Sequence, residues 1–480
     1  MKKKLLSILL ALVMVITLLT PVDIQAANVE TIPQLEELTP QFSPWAQEDL
    51  IAGDNYDIYP LSWYDQGMTE PITDSQLRVL IIGLRKKILK SEAIVDELDY
   101  RFRIEDNPTV EDVLNHLYSL IASYEYTKDI GLSKRYSPIA YMKEYGIYTG
   151  AKEELKLSEL CSVEQACVFA SRLITHLYDA LDAGSKGFLW EIVSGENKVY
   201  LLGSIHMASY DIYPFSKNIR DAFHESDQVA LELNLLDPTG AAILAMLGMY
   251  TDGTTLKDHV SEETYEKTIA AASSLGIAEQ DISMFKPWMI YMMFTSLSGS
   301  SDGNMEEAAK AALLGIDMNI TVNAMLYGKP ILEIEGYQAQ AMVLDSFSDE
   351  LEEYLLKGVL DTVLAAETAN YEIGNQMLNY MLDLWRKGDV EAFLTFYTQM
   401  THVPELSATE IPIEELELLA EYNDKLLTQR DRKMAEYIDN LLQSDEENTS
   451  FVVVGSAHYI SEYSVLDILE EKGYEIKQIK

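Results

Sequence analysis

Val199–Ser209 reads VYLLGSIHMAS, and Phe451–Ser461 reads FVVVGSAHYIS. Each is an apolar run followed by Gly-Ser-x-His. A short continuous apolar run bounded by a turn signal reads as a strand buried on both faces, as in a parallel sheet. Glycine directly after such a strand lets the chain turn sharply or approach another group closely. In parallel sheets the strand ends gather ligands at one edge, and a histidine three residues after the glycine is presented there. Two of the seven histidines have this setting, His206 and His458.

The sequence around the first stretch continues the pattern. GFLWEIVSGENKVYLLGS, residues 187–204, gives two β-rich runs joined by Ser-Gly-Glu-Asn, a hairpin signal. A helix near Pro214–Glu225 and a strand QVALELN, residues 228–234, follow. Val229, Leu231 and Leu233 point one way and Ala230, Glu232 and Asn234 the other, because strand side chains alternate. A carboxylate ending an otherwise apolar strand is either partnered or solvated. Two histidines and a strand-end glutamate are the donors of a two-histidine, one-carboxylate metal site, so His206, Glu232 and His458 are the candidate metal ligands.

Helices are expected from Pro238 to Tyr327, with Pro287 in a first helical turn and another helix opening at Asp317. A strand is expected at Ile331–Ile334, then more helices to Leu442, then the strand Phe451–Val454 and a last strand in YEIKQIK. Strands alternating with helices imply an α/β fold: a mixed sheet with strand–helix units, some parallel pairing and a large helical insertion.

The N-terminal third is organised differently. MKKK followed by an apolar run from Leu5 to Leu19 and a small residue at Ala26 reads as a secretory signal peptide, residues 1–26. The run is short for a bilayer span. Three regions are therefore expected: 1–26, a mostly helical module over 27–182, and an α/β domain over 183–480. Without residues 1–26 the chain carries 33 basic against 77 acidic residues. That balance argues against nucleic acid or anionic lipid as partner and suits a soluble protein outside the cell. Its 48% apolar content is enough for a real core. Two cysteines, Cys161 and Cys167, allow one short bridge or two free thiols.

Residues 42–88 and 136–178 form a weak internal repeat: a Ser-Pro, a short helix, a turn, then a helix opening after Thr73 or Ser162. These segments resemble surface-layer homology repeats, which hold bacterial proteins to cell-wall polysaccharide. The family's Thr-Arg-Ala-Glu-like tetrad is matched by Thr73-Asp74-Ser75-Gln76 and Ser162-Val163-Glu164-Gln165, both without the arginine.

From about Phe188 to Lys480 the chain resembles the TraB/GumN/Tiki family. The landmarks, in order, are Gly203–His206, Glu232-Leu233-Asn234, Lys286-Pro287-Trp288, Gly315-Ile316-Asp317, Gly328-Lys329-Pro330 with Leu332-Glu333, Arg430-Asp431 and Gly455–His458. Asn234 stands where the family often has Asp, and Asp431 where it often has Asn. The resemblance implies a fold akin to erythromycin-esterase-like and haem-binding ChaN-like proteins. It also implies metal-dependent proteolysis, with peptide or protein substrates and a divalent ion for which manganese, cobalt and zinc are the candidates. Carried over by position, His206 and His458 lead the site, with Glu232 beside them. Arg430 would be an electrostatic or supporting group, and Asp317 and Glu333 are secondary candidates. The expected chemistry is metal-assisted hydrolysis, with Glu232 or Glu333 as general base and Arg430 on the oxyanion. The rival is a non-catalytic protein that captures a secreted peptide, metal or haem at the same edge.

Overall fold

The computed structural model describes residues 42–98, 106–132, 137–149, 156–298, 305–364, 368–401 and 412–480. The expected signal peptide lies outside them. Two compact units divide the chain: Glu37–Lys186 with Tyr210–Arg220, and Gly187–Ser209 with Asp221–Lys480.

In the first unit, three helices open in the same way: Asp74–Leu89, Val110–Ile121 and Val163–Leu181. The side chains of Thr73, Thr109 and Ser162 each accept the backbone N–H three residues on. Gln76, Asp112 and Gln165 each return a bond to the backbone N–H of the capping residue. Such reciprocal caps satisfy two otherwise orphan donors per helix. The residues leading into these helices are joined: Ile72 N–H donates to Cys161 O at 2.8 Å, and Cys161 N–H to Pro108 O at 3.0 Å. The helices expected after Thr73 and Ser162 are thus present. A third start at Thr109 went unread, because residues 90–108 carry neither a Ser-Pro nor a Tyr-Gly-type turn signal. Two short strands, β1 (Ile94–Glu97) and β2 (Tyr124–Tyr126), pair antiparallel. Cys161 and Cys167 are both free thiols and both buried; burial pushes each thiol well above its usual range.

The segment Tyr210–Arg220 is held within this unit. Lys87 Nζ donates to Tyr210 O and Lys90 Nζ pairs with Asp211, each at 2.7 Å. Ser185 Oγ donates to Ile212 O at 2.5 Å, and Arg220 pairs with Asp179.

The second unit is built on a six-stranded sheet of β3 (Phe188–Ser194), β4 (Asn197–Ser204), β5 (Gln228–Leu231), β6 (Ile331–Glu333), β7 (Thr449–Gly455) and β8 (Ile476–Ile479), in the order β6-β5-β7-β4-β3-β8. The pairs β6–β5, β5–β7 and β7–β4 are parallel, and β3 is antiparallel to β4 and to β8. The expected hairpin closes with Ser194 opposite Asn197, and Gly195 in the turn has a φ of 61°. β7 lies inside the sheet, and Phe451–Val454 are at most 1% exposed, which is why its sequence is apolar without alternation.

β5 is shorter than the expected 228–234. Its hydrogen-bonded run stops at Leu231, because the turn after β6 takes the Glu232 carbonyl through the N–H groups of Glu335 and Gly336. Glu232 therefore stands just past the strand end. Among the described residues the chain between β5 and β6 and between β6 and β7 is mostly helical, and Leu256, Ile282, Phe294, Leu356 and Leu360 form a buried core there. The helix Ile413–Asn423 runs through a π-helical turn, Asp424–Thr428, into Gln429–Leu442. Among the described residues no helix is long and apolar enough to cross a membrane.

Candidate functional site

β4 and β7 are in register with Gly203 opposite Val454 and Ser204 opposite Gly455. The two Gly-Ser turns pack on one another. Ser456 donates to Ser204 O from both its backbone N–H and its hydroxyl, each at 2.9 Å. A Cβ on Gly203 would sit 2.9 Å from Ser456 Oγ and 3.2 Å from its Cα, too close for any other residue without a shift. The Gly203 carbonyl is capped by the indole N–H of Trp385 at 2.7 Å.

The second glycine is the meeting point of the site. A Cβ on Gly455 would lie 3.4 Å from Glu232 Oε1, 3.7 Å from His458 Cδ2 and 3.9 Å from His206 Nε2. Both imidazoles and the carboxylate thus surround one point at the carboxyl ends of β4, β5 and β7.

Each imidazole carries an aspartate on its other nitrogen. His206 Nδ1 is 2.6 Å from Asp317 Oδ2, and His458 Nδ1 is 2.5 Å from Asp431 Oδ1. An Nδ1–H donated to a carboxylate fixes the tautomer and leaves the Nε2 lone pair free. The His206 side chain is 64% exposed and that of His458 only 5%. Asp317 holds the His206 imidazole above its usual pKa, against the opposing effect of desolvation. Burial raises the Asp431 carboxyl, and His458 partly offsets this.

Asp317 reaches His206 because the helix Ile316–Tyr327 starts against the His206 backbone. Ile316 N–H donates to Ile205 O at 3.1 Å, and a Cβ on Gly315 would fall 2.3 Å from His206 O. Asp431 and Arg430 come from the first turn after the π-helical segment. Arg430 forks onto Glu335, with Nε 2.9 Å from Oε1 and Nη2 2.7 Å from Oε2. Its Nη2 also reaches Glu232 Oε2 at 2.6 Å, and Nη1 donates to Leu426 O at 3.2 Å. Glu232 Oε1 accepts the Gly455 N–H at 2.6 Å, and Oε2 also accepts from Gln340 at 3.1 Å. Burial raises the Glu232 pKa, but His458, Arg430, His206 and the Gly455 N–H outweigh it and bring it down to about 2.

Of the residues expected from sequence, His206, Glu232, His458, Arg430 and Asp317 are brought together. Glu333 is not with them: it is exposed at the end of β6 and accepts the Asn234 N–H at 2.8 Å. The carboxylate on Arg430 is Glu335, two residues further on. Sequence reading missed Glu335 and Gln340, and it noted Asp431 only as a departure from the family pattern. The Glu-x-Glu of residues 333–335 was the available signal for Glu335.

The family model for TraB/PrgY/gumN matches residues 188–478. The chain belongs to that family. Among curated relatives, a "Metalloprotease TIKI homolog" of Nematostella vectensis is 22% identical over 325 residues, 61% of this chain and 67% of the relative. "Metalloprotease TIKI2" of Xenopus tropicalis is 22% identical over 323 residues, 60% and 59%. The Escherichia coli protein YbaP is 25% identical over 191 residues, 39% and 66%. The chain thus spans about three-fifths to two-thirds of the length of these relatives. No solved structure matches.

The name of the TIKI relatives implies a metal. Among the described residues, no three His, Cys, Asp or Glu side chains are placed to hold a metal ion. The donor chemistry of this TraB/PrgY/gumN site nonetheless fits a divalent ion. Each histidine has its Nδ1 on a carboxylate and its Nε2 edge turned toward the Gly455 point, and Glu232 is held ionised beside them. Carboxylate–histidine pairs of this kind orient imidazole ligands on a metal.

Proposed function

We propose that the second unit is a metal-dependent hydrolase of peptide or protein substrates. The observation that carries this reading is the meeting of His206, His458 and Glu232 around Gly455, with an aspartate behind each imidazole. His206 Nε2, His458 Nε2 and Glu232 would hold the ion. When bound, a divalent ion lowers the pKa of its water and polarises a carbonyl.

The protein's own residues have separate tasks. Asp317 and Asp431 hold the two imidazoles in the tautomer that leaves Nε2 free. Arg430 is spent on Glu335, Glu232 and Leu426 O, so we assign it to fixing Glu232 rather than to an oxyanion. Both Glu232 oxygens are held by Gly455, Arg430 and Gln340, so we assign Glu232 as a fixed ligand anion, not as the general base. In the overall reaction water's oxygen bonds to the carbonyl carbon, the C–N bond breaks, and the leaving amine takes the proton.

A second reading is capture without turnover. It is favoured by the commitment of both Glu232 oxygens to Gly455, Arg430 and Gln340. In either case we read the chain as exported through residues 1–26, with the first unit as a surface-layer-like attachment module and the second as akin to erythromycin-esterase-like and ChaN-like folds.

Elemental analysis of the purified protein, followed by peptide turnover with and without chelator, tests the reading. Turnover that needs one equivalent of manganese, cobalt or zinc is expected. Full turnover in chelator would refute a metal-dependent mechanism, and stoichiometric metal without turnover would favour capture.

A further inference from the structure

Beside His206 and Glu232 the sheet edge opens into a cavity of about 230 Å³. Its far wall is apolar. Leu231, Leu233 and Leu235 come from the end of β5 and the turn after it, Val453 from β7, and Met318 and Ala312 from the neighbouring helices. Its polar side is the site itself. Two buried polar atoms there have no hydrogen-bond partner, Ser204 Oγ and Asp317 Oδ1, and Ser204 is only 3% exposed. The second oxygen of Asp317 is already taken by His206.

Both atoms are closed off from solvent, so recognition in the cavity falls to its apolar lining. The cavity lies below the roughly 300–1,000 Å³ that encloses a drug-sized ligand. It suits one side chain and is too small to enclose a haem. A lysine or glutamate tip would be driven among leucines, while the carboxylates at the mouth are already engaged by His206 and Arg430.

We propose that this cavity is a specificity subsite for a medium aliphatic side chain, leucine or methionine, next to the scissile bond. The subsite rests on the hydrolase reading above and deepens it by naming the substrate class.

The test uses the metal-loaded full chain and a peptide library varied at each position around the cut. At one position, kcat/KM for leucine or methionine should exceed that for glycine by at least about 10-fold, the scale of apolar side-chain discrimination. Ala312→Phe should fill the cavity and move the preference to glycine and alanine. Leu233→Ala should widen it and admit phenylalanine. In parallel, binding of N-acetyl-leucinamide and N-acetyl-glycinamide is followed by NMR. The leucine probe should bind the parent and lose affinity in Ala312→Phe. Cleavage indifferent to the side chain at every position, and unchanged in both variants, overturns the subsite and leaves the hydrolase intact. Selective binding of the leucine probe without any cleavage supports the subsite and overturns the hydrolase. Neither binding nor cleavage overturns both.

Discussion

His458 and Asp431 are both nearly inaccessible to water, at 4% and 1% exposure, and their side chains meet at 2.5 Å. The pairing makes Asp431 a positioning residue. Asp431→Ala removes the acceptor that fixes the ring. Loss of such a partner typically costs 10–100-fold in metal affinity. That loss is expected in a calorimetric metal titration, and an unchanged affinity would show that the tautomer of His458 does not depend on Asp431. His206→Ala and His458→Ala should each abolish metal-dependent turnover, and the double variant should be no worse than either single one, because residues acting as a unit are non-additive. Independent losses that multiply would mean that the two imidazoles serve separate sites.

Among the elements, the helix Ile316–Tyr327 is placed by the Ile316 N–H bond to Ile205 O and by one close approach. Gly315 lies against the His206 carbonyl, with room for no Cβ. Gly315→Ala must push the helix start away from the strand end and carry Asp317 with it. Overpacking of this kind costs about 1–3 kcal/mol. A lower denaturant midpoint is expected together with weaker metal binding; an unshifted midpoint would mean that the helix start is free to move. The π-helical turn before Gln429 acts in the same way on the other imidazole. Such turns recur at functional sites, and here the turn leaves Leu426 O as an acceptor for Arg430 while the next residue reaches His458.

For the whole molecule, the segment after His206 belongs with the first unit. Residues 210–220 are held by Lys87, Lys90, Ser185 and Asp179, all outside a fragment of residues 187–480. That fragment should keep a cooperative melt, because its sheet is complete. Amide exchange should accelerate over residues 207–220, as measured by mass spectrometry, and unchanged protection there would contradict the assignment. The first unit also has its own pH dependence. Burial outweighs the Tyr64 hydrogen bonds and raises Asp54 from 3.8 to about 7. A raised carboxyl pKa contributes stability that is complete below about pH 4 and is lost as pH rises through 7. Asp54→Asn should therefore melt at a higher temperature than the parent at pH 8 and at about the same temperature at pH 4. A constant difference across that range would mean that Asp54 is ionised throughout.

The sequence alone determined what depends on local pattern. The continuous apolar runs at Val199 and Phe451 read as interior strands, and the glycines after them mark where the chain turns. Thr73 and Ser162 with their glutamines mark helix starts. His206, Glu232 and His458 were candidates because each ends or follows an apolar strand, whereas Arg430, Asp317 and Glu333 came from the family resemblance. The tertiary structure decided the partners. Asp317, Glu335, Gln340 and Asp431 lie 111, 95, 108 and 27 residues from the groups they bond. No local periodicity encodes such pairings. The choice of Glu335 over Glu333 turned on the turn after β6, which holds Glu335 against the Glu232 carbonyl, and the end of β5 at Leu231 turned on the same carbonyl being claimed by that distant turn. Strand and helix identity are set by neighbours in sequence, whereas the ionisation and orientation of the site are set by charges that only folding brings within 3 Å.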